Sequence, residues 1–164
     1  MRQNGVFHLL SLGYKHMPRM REERALDRGD LEAELVETGE VLLELQELAS
    51  EGIPILVEGR RDKEALESLG IRGKILEFSS QRRRLGFLEG LKDRKVVILT
   101  DFDEKGEELA SFCSKHLNEL GVEPILEPYQ KLKKLKKRFK EVESLVRLKT
   151  VLERIKWKDQ KTRS

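Results

Sequence analysis

The chain has 164 residues, 38% of them charged, and a formal net charge of +3. That length fits one domain with a small appendage. A lone cysteine, Cys113, excludes an intramolecular disulfide and any zinc site built on paired cysteines, and the absence of a run of about 18 apolar residues leaves nothing to span a bilayer. The three histidines are scattered, which argues against a histidine-rich metal site.

Residues 1–27 read as an N-terminal tail without a signal-peptide core, and Met17 and Met20 offer alternative starts. The expected location is the cytoplasm. Residues 28–52 read as an N-terminal helix with Asp30 as its cap, because Leu31, Leu35, Thr38, Leu42, Leu45 and Ala49 recur at helical spacing. Gly52 and Pro54 break that pattern.

The short apolar run Ile53 to Val57 predicts a strand covered on both faces. A helix over 61–69 follows, with Ala65, Leu66 and Leu69 inward. "GKILEF" predicts a second strand, and Ser79 or Ser80 is placed to cap a helix through "QRRRLGFLEGL", which Gly86 and Gly90 weaken. "KVVILT" is the clearest strand. The helix after it turns Leu109, Phe112, Cys113, Leu117 and Leu120 to one side and ends at Gly121. "VEPIL" is the last strand. Alternating β and α segments predict an α/β layer fold with a mostly parallel sheet.

The segment 128–157 predicts a basic amphipathic helical extension, with Leu132, Leu135, Phe139, Val142, Leu145, Leu148, Leu152 and Ile155 as its apolar stripe and a break near Glu141 to Ser144. Residues 158–164 read as a disordered tail. From Tyr129 to Ser164 there are 14 Lys and Arg against 4 Asp and Glu, whereas the first 128 residues hold 19 against 26. A mildly acidic body with a strongly basic end points to an anionic partner, nucleic acid before membrane. "KLKKLKKRFK" also fits the solvated face of a helix, and Arg82, Arg83 and Arg84 fit surface arginines. Cys113 and His116 fall on or beside an apolar stripe, where core or boundary positions are expected.

Two acidic clusters stand at predicted strand ends. Glu58 closes the first strand, and Asp101 and Asp103 follow the third. Residues two apart in extended chain point to one side, and open parallel sheets bind ligands beyond the carboxyl ends of their strands. Three carboxylates around one point call for a cation, and all-oxygen ligands favour Mg2+ or Mn2+. Gly59 lets the chain turn off the strand beside Glu58, and Gly106 lets backbone approach the start of a helix whose amides could receive a phosphate. The Asp pair alone also fits a polar strand end with a helix N-cap.

"ILVEGRRDKEAL" and "VVILTDFDEKGEELA" together resemble the two signature motifs of the Toprim domain, a glutamate and glycine after one strand and Asp-x-Asp-x-x-Gly after a later one. The nearest likeness is to small stand-alone, primase-like Toprim proteins of archaea and bacteria, which are similar to the ribonuclease that matures 5S ribosomal RNA. The resemblance covers roughly residues 53–126. It implies a Toprim fold, Rossmann-like, with a four-stranded parallel sheet between helices over 53–127. It also implies Glu58 as general acid/base or metal-linked carboxylate, Asp101 and Asp103 as magnesium ligands, and Asp62 as a supporting carboxylate.

The expected activity is Mg2+-dependent phosphodiester hydrolysis on structured RNA or single-stranded DNA, with Arg82, Arg83, Arg84, Lys133, Lys134 and Lys137 as candidate nucleic-acid contacts. The alternative is a non-catalytic module that grips nucleic acid or a ribonucleoprotein partner, with the amphipathic terminal helices free to join a protein partner or a second copy. Topoisomerases and primases of this family need domains absent here. A phosphatase of the haloacid-dehalogenase type also uses Asp-x-Asp, but its motif continues to Thr or Val where this chain has Lys105.

Overall fold

The structure is a computed structural model that describes residues 28–79, 81–134 and the single positions Val142, Glu153 and Lys161. The chain divides into two compact units, Met1–Ala33 and Glu34–Ser164, and the sheet and the site belong to the second. Its elements are α1 (Arg28–Ser50), β1 (Ile55–Val57), α2 (Arg60–Ser68), β2 (Ile75–Glu77), α3 (Arg84–Glu89), β3 (Lys95–Leu99), α4 (Glu104–Glu119), β4 (Glu123–Ile125) and α5 (Glu127–Lys133).

The four strands form one parallel sheet in the order β2-β1-β3-β4. This is the expected Toprim-type, Rossmann-like sheet flanked by helices. The order explains the sequence pattern. β1 and β3 are the inner strands, and every residue from Ile55 to Val57 and from Val96 to Leu99 is buried. A strand covered on both faces has no polar side to show, so both read as unbroken apolar runs. From β1 the chain steps outward to β2, then returns to the other side of β1 as β3. The reversal falls between β1 and β3, where such sheets open a crevice at their carboxyl ends.

The helices follow their apolar spacing with local corrections. α1 starts at Arg28, so Asp30 lies inside its first turn rather than capping it. Leu35, Thr38, Leu42, Leu45 and Ala49 are buried as predicted, joined by Val41, and Gly52 (φ 84) and Gly121 (φ 75) take the left-handed turns that end α1 and α4. β2 is three residues long, shorter than "GKILEF", although the amides of Phe78 and Ser79 still donate to the carbonyls of Val57 (2.9 Å) and Glu58 (2.7 Å). α3 is a six-residue turn whose N-cap is Arg83; Ser79 does not cap it, and Ser80 lies outside the described residues.

On α4, Leu120 is exposed because the helix has ended, and Gly106 and Ala110 complete the buried face with Cys113 and Leu117. α5 opens with Pro128 in its first turn, where a missing amide costs nothing. Leu132 and Val142 of the predicted stripe are buried. Leu135, Phe139, Leu145, Leu148, Leu152 and Ile155 lie outside the described residues, as do 1–27 and all of 158–164 except Lys161, which has helical backbone. Among the described residues no helix is long and apolar enough to cross a membrane.

Ile98 is the fourth residue of β3, paired with Leu56 of β1 and fully buried. Ile98→Ala should cost about 2–5 kcal/mol through lost burial and the cavity left behind. Urea denaturation measures it, and a loss well under ~1 kcal/mol would contradict this packing.

Candidate metal and phosphoester site

The register Val57↔Leu99 makes Glu58 and Thr100 the next residues on neighbouring strands. The chain beyond them brings the two acidic motifs together. The Asp101 amide donates to Glu58 Oε1 at 3.2 Å, a contact between residues 43 apart in sequence. Thr100, buried, donates its hydroxyl to the Gly106 carbonyl at 2.7 Å. Phe102 is buried between the two aspartates and stacks on Tyr129 of α5, with ring centroids 5.8 Å apart. The Tyr129 hydroxyl is buried with no hydrogen-bond partner among the described residues.

Gly106 is dictated by sterics. A Cβ there would come within 2.6 Å of the Asp101 carbonyl carbon and overlap its oxygen. The glycine therefore lets the first turn of α4 press against the backbone of Asp101. The close backbone approach expected at Gly106 is present, and the N–H of Gly106 itself donates to Asp103 Oδ1 at 2.7 Å. Gly59 has a different role from the one expected. Its backbone is extended (φ -146), open to any residue, and an added Cβ would meet only Ser79 Oγ at 3.5 Å. No turn requires a glycine there.

The carboxylates divide the work. Asp103 caps α4 and stays exposed; the bland N-cap reading of the motif is thus realised at this residue. Asp62 is buried at 7% exposure and accepts from the Gly59 amide at 3.0 Å. Asp101 is half-buried, and its Oδ1 accepts from the main-chain amide of Val142 at 3.1 Å. Burial, followed by the Asp62, Glu58 and Asp103 carboxylates, pushes the Asp101 carboxyl up to about 7, while the Val142 amide pulls it down. No basic side chain among the described residues acts on Asp101.

The site is open rather than a cage. Among the described residues no group of three or more His, Cys, Asp or Glu side chains is close enough to hold a metal ion by itself. The structure brings Glu58 to Asp101, with Asp62 and Asp103 within electrostatic reach. The residues present fit a hard divalent cation of the magnesium type. The donors are all oxygen, four carboxylates stand within electrostatic reach of one another, and such ions take one or two protein carboxylates and keep water or phosphate for the rest.

The other sequence-predicted contacts lie on other elements. Arg82, Arg83 and Arg84 are exposed on the loop and short helix after β2, and the Arg84 guanidinium lies 5.6 Å from the Phe78 ring centroid. Lys133 pairs with Glu107 of α4 at 2.5 Å, so it serves as a tie between helices as well as a surface cation. Lys134 is exposed, and Lys137 lies outside the described residues. Cys113 is buried, with its thiol pushed up to about 12, and His116 is half-buried beside Glu119. Both are core or boundary residues. Sequence reasoning missed Tyr129 and the Val142 amide. A main-chain donor carries no residue signature, and Tyr129 showed only as an aromatic after a proline.

These features define an acidic site at the switch point of a four-stranded parallel sheet, and the chain belongs to the Toprim domain family, whose model matches residues 53–142. Membership implies a nucleic-acid-processing, metal-binding role. Among similar proteins, a UPF0292 protein of Methanosarcina acetivorans is 38% identical over 109 residues, covering 65% of this chain and 75% of its own. A UPF0292 protein of Thermococcus kodakarensis is 42% identical over 92 residues, covering 56% and 69%. A solved structure of an Aquifex aeolicus protein superposes with a TM-score of 0.55 at 30% identity, covering 63% of this chain and 94% of that one.

Two predictions follow from the local geometry. Gly106→Ala should destabilise the protein by at least the upper part of the ~1–3 kcal/mol range for overpacking, because the obstacle is backbone. Gly86→Ala, where the nearest atom to an added Cβ is 3.7 Å away, should instead stabilise α3 by up to about 1 kcal/mol; chemical denaturation of both variants checks the contrast. For pH, the folded-state value of Asp101 lies above its ordinary 3.8. Between 3.8 and about 7 the folded protein binds more protons than the unfolded chain, so this group's contribution is full below 3.8 and is lost as pH rises through about 7. In metal-free buffer Asp101→Asn should therefore gain on the wild type from pH 5 to 8, read as the difference in melting temperature.

Proposed function

We propose that the protein is a magnesium-dependent phosphodiesterase acting on nucleic acid, ribonuclease-like in chemistry, with Glu58, Asp101 and Asp103 as its working carboxylates. The observation that carries this reading is the junction of the two motifs. Glu58 Oε1 lies 3.2 Å from the Asp101 amide, at an edge where burial and neighbouring carboxylates already disfavour the ionised Asp101. A bound Mg2+ or Mn2+ supplies Lewis-acid polarisation of a phosphoryl oxygen and a readily ionised water.

The protein's own residues do the rest. Asp101 and Asp103 would be the oxygen donors to the cation. Glu58 is held by its bond to the Asp101 amide and would take a proton from the attacking water or return one to the leaving oxygen as the P–O bond breaks. Asp62, fastened to the Gly59 amide, adds negative charge behind Asp101 and strengthens its demand for a cation. The exposed arginines 82–84 and the basic residues from Lys131 onward supply phosphate contacts whose contribution fades with salt. Structured RNA or single-stranded DNA is the substrate class this arrangement favours.

The test is cleavage of both substrates with Mg2+ or Mn2+, repeated with Glu58→Gln and Asp101→Asn. Each variant should lose about 10²-fold or more in rate, the scale of a lost general acid/base. Activity that survives both substitutions would overturn the mechanism. Salt-sensitive binding without turnover, across substrates and metals, would favour a non-catalytic module that grips phosphate.

A further inference from the structure

We infer that the main-chain amide of Val142 is a positioning group for Asp101, occupying Oδ1 so that Oδ2 is the oxygen left for a cation. This rests on the metal-dependent reading of the site and deepens it. The amide lies 3.1 Å from Oδ1. It favours the ionised form of a carboxylate facing burial and three like charges. Val142 is fully buried, so the donor side of this part-buried contact is anchored in packed structure.

The location explains why the amide is available. Inside a regular helix an amide is consumed by the carbonyl four residues earlier, and only a helix start or interruption leaves it free. The sequence pattern predicts an interruption over 141–144, and Val142 itself stands in a 3₁₀ turn. A carboxylate held at one oxygen by a rigid donor is aimed. It binds a metal through a single oxygen, leaving more of the coordination sphere to water and phosphate, as magnesium sites require. Val142 is therefore part of the site, and the family match runs to this residue.

The test has two arms. The first uses amide hydrogen exchange and needs no metal. In the unsubstituted protein the Val142 amide should exchange slowly, and in Asp101→Ala at least tenfold faster; equal rates would overturn the inference. The second uses Mn2+ titration followed by calorimetry. Val142→Pro removes the donor, while Val142→Ala keeps it and trims the buried side chain. Proline should weaken Mn2+ binding about 10-fold or more, the scale for losing a group that orients a metal ligand. Alanine should lower the melting temperature and leave the affinity within about twofold of wild type. Binding by Val142→Pro equal to that of Val142→Ala, or tighter, would overturn the proposal. If Val142→Pro does not fold, the exchange arm decides. Absence of Mn2+ binding by the unsubstituted protein would defeat the metal reading itself, and the role of Oδ2 with it, whatever the exchange shows.

Discussion

The parallel pairing of β1 with β3 is the contact on which the rest of the site depends. Three register pairs, Ile55↔Val97, Leu56↔Ile98 and Val57↔Leu99, fix two segments over forty residues apart in sequence side by side and pointing the same way. All six side chains are buried. A slip of one residue would turn each of them to the opposite face and undo the close packing of these side chains with the helices on both sides. That alignment decides that Glu58 and Asp101 emerge together. The acidic site is thus a by-product of core packing, held in place by apolar residues that never touch it.

The electrostatics run against this packing. Four carboxylates lie within mutual influence at the crevice, and the cost is met locally by amides: Asp101 on Glu58, Gly59 on Asp62, Gly106 on Asp103, Val142 on Asp101. Each of these four amides orients a carboxylate, and an amide carries no charge to neutralise it. The arrangement holds the acids in place, a state suited to capturing a cation. The basic excess of the C-terminal part lies in the same chain, and the Lys131–Glu44 and Lys133–Glu107 pairs fasten α5 to α1 and α4. Those surface pairs contribute little stability on their own, but they hold α5 against its two neighbours.

Much of this was legible in the sequence. The inner strands announced themselves because double burial removes polar residues, and the two motifs stood at the strand ends where parallel sheets bind ligands. What stayed hidden had physical causes. Asp30 looked like a cap because propensity favours aspartate at a helix start, yet the helix begins two residues earlier. Leu120 continued the apolar spacing of α4 past the point where Gly121 ends the helix. Gly59 looked like a forced turn, but its extended backbone leaves that demand unmet, whereas Gly106 is forced by an atom of Asp101 that no local pattern reveals. The Val142 amide was invisible for the simplest reason: every residue except proline has one.

Phe102, between the two aspartates, gives the motif its direction. Its ring is buried against Tyr129 while Asp101 is half-exposed and Asp103 exposed. Burial of the middle residue goes with exposure of the acids on either side of it. The aromatic works as a keel. A loop with the same two acids around a small or polar residue would keep the charges and lose the heading. A search for chemically competent relatives of this site would therefore do well to require an apolar anchor between the acids, together with an aromatic partner to receive it.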